Sequence, residues 1–331
     1  MLKFGLIGAG RIGRIHGANV HARPGAELVA VADFDLKAAQ AFAAETGAEA
    51  MSSEAILNSS DIDAILICSP TDTHAHLIET AARAGKAVFC EKPVDLSSDR
   101  VKTTLQVVEA AGVPLMIGFN RRFDPSFADL HKRLRAGAVG EVEIVTILSR
   151  DPAPPPVAYI ERSGGLFRDM MIHDFDMARF LLGEEPVDVQ AFGSSLVDPA
   201  IGKAGDVDTA VVQMRTASGK LCQISNSRRA TYGYDQRIEV HGSKGMLRAG
   251  NMHKTTVELA TGAGLTIDPV QDFFLQRYAE AYRLELGAFV DALSGGAKPS
   301  PSGIDGLRAQ RLADAATESA KSGKPVQISL D

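Results

Sequence analysis

Short, nearly continuous apolar runs fall at 3–8, 27–32, 48–51, 64–68, 87–90 and 114–118. Between them, the stretches after Gly13 and at 36–46, 74–84 and 98–111 carry apolar residues every three to four positions. Runs of that length without polar alternation predict strands covered on both faces, and the intervening period predicts helices. Strand and helix in strict alternation predict a doubly wound parallel sheet, the pattern of an α/β fold.

The pattern changes near Gly140. At 141–149, 187–196, 209–216, 221–229 and 236–241, and in a final pair near Met246 and Val257, apolar and polar residues tend to alternate. Such strands bury one face, so an open, mostly antiparallel sheet is predicted, its other face available to a second subunit. Long amphipathic helices follow at 272–293 and 303–322, joined by a Gly/Pro/Ser-rich link. The predicted division is a first domain over 1–120, with helix 303–322 packing back on it, and a second over 121–300.

A chain of 331 residues, 45% hydrophobic, is long enough for two such domains. Its net charge of −6 and lack of a long basic block point away from nucleic acid and anionic membranes, toward a small-molecule site. No apolar run reaches the ~18 residues a membrane span needs, and the N-terminus lacks a signal-peptide pattern, so a cytoplasmic location is expected. Cys68, Cys90 and Cys222 are odd in number and widely spaced, which favours neither disulfides nor a zinc site, and no metal is expected.

The first run leads into Gly8-Ala9-Gly10-Arg11-Ile12-Gly13 and then a helix, the G-x-G-x-x-G arrangement. Its glycines allow a tight turn, close backbone approach to a pyrophosphate and close helix-strand packing. The second run ends at Asp33, about twenty residues past the last glycine, where a carboxylate can hold an adenosine ribose. The alternative for Asp33 is a cap on the next helix. A carboxylate there repels a 2′-phosphate and Phe34 supplies no charge, so NAD is favoured over NADP, although Lys37 lies nearby.

Ligands of parallel sheets bind beyond the carboxyl ends of the strands. Ser69-Pro70-Thr71-Asp72-Thr73-His74 and Glu91-Lys92-Pro93 fall there, so both segments are expected to face the cofactor. Arg121 and Arg122 follow the last run of the first half and could serve phosphate, polyol hydroxyls or a structural carboxylate. After the stiff Asp151-Pro152-Ala153-Pro154-Pro155-Pro156 loop come Asp169 and His173, four residues apart among apolar neighbours. On one helix that spacing lets a carboxylate orient an imidazole; the plain alternative is a solvated pair on a helix face.

In this order, the glycine-rich turn, Ser69-Pro70-x-x-x-His74, Glu91-Lys92-Pro93 and Asp169-x-x-x-His173 resemble the Gfo/Idh/MocA oxidoreductases over nearly the whole chain. The segments 118–124, 163–182 and 232–235 are most similar to the family's inositol-oxidising members. The resemblance implies a Rossmann domain carrying NAD, a C-terminal α/β domain and a homotetramer. It implies Lys92, Asp169 and His173 as the catalytic trio. It also implies substrate contacts from Arg121, Asp151, Tyr234 and Tyr282, though the proline-rich loop around Asp151 departs from some relatives. The implied activity is NAD-dependent oxidation of myo-inositol at C2 to the ketone. Alternatives are another polyol or pyranose as substrate, or a non-catalytic nucleotide-sensing regulator.

Overall fold

The computed structural model describes residues 1–329, which divide into two compact units. The first comprises Met1–Phe123 and Ala281–Gln310; the second comprises Asp124–Glu280 and the chain from Arg311.

In the first unit the elements run β1 (Leu2–Ile7), α1 (Arg11–His21), β2 (Ala26–Ala32), α2 (Leu36–Thr46), β3 (Glu49–Ala50), α3 (Ser53–Asn58), β4 (Ala64–Ile67), α4 (Thr71–Arg83), β5 (Ala87–Glu91), α5 (Ser98–Ala111) and β6 (Leu115–Gly118), then a 3-10 turn at Asn120–Phe123. Sheet order is β3-β2-β1-β4-β5-β6 with every pair parallel. β4 and β6 are buried at every residue, which is why their sequences read as unbroken apolar runs. Side-chain caps fix the helix starts: Asp35 for α2, Ser52 for α3 and Ser97 for α5.

The second unit continues with α6 (Pro125–Arg135), β7 (Val142–Arg150), α7 (Val157–Ser163), α8 (Gly165–Asp169), α9 (Ile172–Leu182), β8 (Pro186–Ser194), α10 (Pro199–Lys203), β9 (Thr209–Thr216), β10 (Leu221–Ser227), β11 (Asp235–Gly242), β12 (Gly245–Ala249), β13 (Glu258–Thr261), β14 (Gly264–Ile267) and α11 (Phe274–Arg277). The chain ends with α12 (Ala279–Gly295), α13 (Gly303–Ser322) and β15 (Val326–Gln327). The large sheet is ordered β12-β11-β7-β10-β9-β8-β15, and only β7 and β10 run parallel in it. Along β9, buried residues alternate with more exposed ones, the mark of a sheet packed on one face.

Four local expectations are corrected. The strands near Met246 and Val257 do not pair: β12 joins β11, while β13 and β14 form a separate exposed hairpin. The stretch 272–293 is two helices broken at Tyr278, not one. Helix α12 packs in the first unit, where Leu286, Phe289 and Val290 share a core with Phe4, Leu6 and Phe89. Amphipathicity shows that a helix has a face to bury and not which sheet receives it. The fourth is that Asp169 and His173 lie on successive helices, the first at the end of α8 and the second in the opening turn of α9.

Candidate active site

In the first unit the glycine-rich turn joins β1 to α1, with Gly10 at the N-cap and no side chain capping the helix. A Cβ on Gly13 would lie 1.8 Å from the Gly8 carbonyl oxygen, so glycine is required there by packing. A Cβ on Gly10 would meet nothing within 4 Å, so the protein's own packing does not require glycine at that position. A helix N-terminus with open space over a glycine is what a pyrophosphate needs. Arg11 is exposed and Ile12 half-buried in the first turn. Asp33 stands beside this turn, its Oδ2 accepting from the Ala9 N–H at 2.6 Å. Capping the next helix falls to Asp35, which accepts from the Lys37 N–H, so the capping alternative for Asp33 is removed. Glycine turn, uncapped helix and acid together suit a dinucleotide.

The two other strand-end segments are tied together. His74, 2% exposed in the first turn of α4, places Nε2 at 2.7 Å from the Ser69 carbonyl oxygen and Nδ1 at 2.8 Å from that of Pro93. Ser69 also shares a 2.6 Å hydrogen bond with Thr73, while Pro70 and Thr71 form the helix start. With both ring nitrogens on backbone carbonyls, His74 supports the two segments instead of reaching out to a ligand. Glu91 is likewise engaged, its Oε1 accepting from Nε2 of the fully buried His16 at 2.7 Å. Lys92 thus lies between two residues held from α1 and α4.

His16 was not legible as a site residue. Its signal is only that it shares the buried side of α1 with Gly13, Gly17 and Val20. Tyr282 stands edge-on to His16 at 5.6 Å between ring centroids and is 7% exposed. Arg121 is buried in the 3-10 turn, and its neighbour Arg122 pairs with Asp305 at 2.9 Å. Burial pushes the thiols of Cys68, Cys90 and Cys222 above their ordinary range, which makes poor nucleophiles of them.

In the second unit, Leu166 O accepts from both Met170 N and Met171 N, and this widened turn separates α8 from α9. Asp169 Oδ1 accepts from the Tyr159 hydroxyl at 2.9 Å, and Oδ2 lies 3.8 Å from Nη2 of Arg228. Burial, then the Asp169 charge, raise the pKa of the Tyr159 hydroxyl, so it remains a donor. His173 is half-buried. Asp151 follows β7, its N–H bonded to Ser227 O at 3.0 Å, at the same sheet end from which Arg228 leaves β10. Tyr234 is 5% exposed, edge-on to Phe273 and Tyr278. Tyr159 and Arg228 carry no sequence signal, since neither is at a regular spacing from Asp169.

A parallel sheet with a glycine-rich turn at a helix N-terminus, followed by a mixed α/β unit, is an arrangement suited to a dinucleotide-dependent oxidoreductase, and the family matches show that class. The chain belongs to the Gfo/Idh/MocA family: residues 2–119 match the oxidoreductase family's NAD-binding Rossmann fold and residues 131–328 match its C-terminal alpha/beta domain. It is 57% identical over 327 residues to the inositol 2-dehydrogenase of Rhizobium meliloti (strain 1021), covering 99% of each chain. It also resembles the crystal structure of a myo-inositol dehydrogenase from Corynebacterium glutamicum, with 44% identity, a TM-score of 0.96 and 100% of each chain covered. A myo-inositol dehydrogenase from Lactobacillus casei, in complex with NAD(H) and myo-inositol, aligns with a TM-score of 0.90 at 27% identity, covering 100% of this chain and 98% of that one. The cofactor is NAD. No helix among the described residues is long and apolar enough to cross a membrane.

Proposed function

We propose that this chain is an NAD-dependent inositol 2-dehydrogenase that oxidises myo-inositol at C2 to the ketone. The observation that carries the reading is full-length identity of 57% to an inositol 2-dehydrogenase. It is joined by the presence of Lys92, Asp169 and His173 in a chain whose first half is built for a dinucleotide.

Oxidising a secondary alcohol removes a hydroxyl proton while hydride leaves the same carbon. The nicotinamide ring is the hydride acceptor. His173 takes the proton as general base, Asp169 fixes the imidazole and stabilises its charged form, and Lys92 hydrogen-bonds the reacting oxygen as it gains charge. The main chain at Gly8, Gly10, Arg11, Ile12 and Gly13 receives the pyrophosphate and Asp33 the adenosine ribose. Ser69, Pro70 and Thr71 line the cofactor. His74 and Glu91 act by holding the segments on either side of Lys92. Arg121, Asp151, Tyr234 and Tyr282 are assigned to the substrate hydroxyls.

The same reading includes a homotetramer in the cytoplasm. Support for association comes from apolar residues left exposed on the large sheet, Phe192 at 60% and Val211 at 47%, and on the hairpin, Leu265 at 65%.

Absorbance of NADH during turnover of myo-inositol tests the activity directly. His173→Ala should lower kcat by about 10²-fold or more while the protein stays folded. Near-wild-type turnover in a folded His173→Ala would refute the base. A panel including scyllo-inositol and glucose, compared by kcat/KM, tests the substrate, and a strong preference for either over myo-inositol would reject it.

A further inference from the structure

We propose that Tyr159 and Arg228 are positioning residues that hold Asp169 as a fixed, oriented anion beside the base; this rests on the reading of Asp169 and His173 given above. The need for such a hold follows from the broken helix. Leu166 O accepts from Met170 N at 3.1 Å and from Met171 N at 2.9 Å, and α9 starts afresh with Met171 O accepting from Asp174 N and Phe175 N. Helical spacing across that break does not itself aim the carboxylate at His173.

Each Asp169 oxygen has a partner of its own kind. The Tyr159 hydroxyl donates to Oδ1 at 2.9 Å, and the guanidinium of Arg228 faces Oδ2 at 3.8 Å. Arg228 is 1% exposed, and its Nε and Nη2 make no hydrogen bond among the described residues. A buried cation in that condition is costly unless charge compensates it. Compensation comes from two carboxylates, Asp169 and Asp206, the latter 3.9 Å from Nη2. Asp206 in turn accepts from the Leu166 N–H through both oxygens, at 3.0 and 3.1 Å. Arg228 therefore faces the acid that holds the start of α8 and the acid at its end.

Tyr159 completes the arrangement from α7. The residue as a whole is 49% exposed, and exchange for phenylalanine keeps the ring, so the change sacrifices little apolar packing. What it does sacrifice is a hydrogen bond to a charged acceptor, and that loss is felt by Asp169.

The test is a double-mutant cycle in kcat on the full-length enzyme with NAD and myo-inositol, using Tyr159→Phe, Asp169→Asn and the double variant. Tyr159→Phe alone should lower kcat by about tenfold or more with KM for NAD unchanged and the protein still folded. In the Asp169→Asn background the same change should alter kcat by less than about twofold, because the group it acts through is gone. Arg228→Met should lower kcat, and Arg228→Lys should recover part of the loss by restoring the charge. Tyr159→Phe with wild-type kcat, or with the same loss in both backgrounds, would overturn the proposal while leaving Asp169's role intact. A fully active Asp169→Asn would overturn that role and the proposal together. Should Arg228→Met fail to fold, the Tyr159 cycle still decides.

Discussion

Replacing Gly10 with alanine separates the two reasons for glycine in the turn after β1. The position has φ −70° and ψ −170°, which alanine adopts without strain, and an added Cβ would touch nothing within 4 Å. Exchanging glycine for alanine at an N-cap costs about 1 kcal/mol, and the stiffer unfolded chain offsets roughly 0.4–1 kcal/mol of it. The net change is within about 0.5 kcal/mol, a shift of about 2 °C or less in melting temperature for a chain of this size. With cofactor the balance differs on the proposed site, in which the methyl group would stand where the pyrophosphate approaches the helix N-terminus. Losing one charge-assisted hydrogen bond to a phosphate costs about 1.5–3 kcal/mol, or roughly 10- to 150-fold in Kd. Gly13→Ala is the counterpart: its Cβ would sit 1.8 Å from the Gly8 oxygen, so α1 must move away from the turn at a cost of about 1–3 kcal/mol or more. Calorimetric titration with NAD and thermal melts without it distinguish the two. Gly10→Ala binding NAD as wild type does would refute the placement of the phosphates, and a Gly13→Ala as stable as wild type would refute the packing argument.

Exchanging Asp33 for Ser together with Phe34 for Arg should move preference toward NADP, measured as the ratio of kcat/KM for the two cofactors; an unchanged ratio would mean that Asp33 is not at the ribose. Asp208 is fully buried, and although burial raises its pKa, the N–H groups of Asp198, Leu196 and Val197 and the Thr209 hydroxyl outweigh that and hold it below its usual 3.8. A depressed folded-state pKa means that this stabilisation is complete above the unfolded value, near pH 4, and is lost as pH falls through the folded value. Urea melts should therefore show Asp208→Asn less stable than wild type at pH 7, with the gap narrowing in acid; a gap independent of pH would exclude the linkage.

Much of the architecture was already determined by the chain's local chemistry. Unbroken apolar runs such as Ala64–Ile67 can be stable only with both faces covered, and the alternation in Thr209–Thr216 only with one, so both sheet types are written in the order of residues. The glycine-rich turn and Asp33 were equally legible, because each is a short-range device whose spacing is fixed by one strand, one turn and one helix. Tertiary structure decided what spacing does not carry. Met170 and Met171 have good helix propensity and keep right-handed backbone angles, yet Met171 N reaches back five residues to Leu166 O and the turn divides α8 from α9, so the interval between Asp169 and His173 is not that of a continuous α-helix. The partners that grip Asp169 arrive from α7, off any helical spacing with it, and from just past the end of β10, far along the chain. His16 is an ordinary helix residue until folding sets it against Glu91. Periodicity reports that a face will be buried; which side chains then meet depends on sheet order and register, which join segments that local sequence cannot relate.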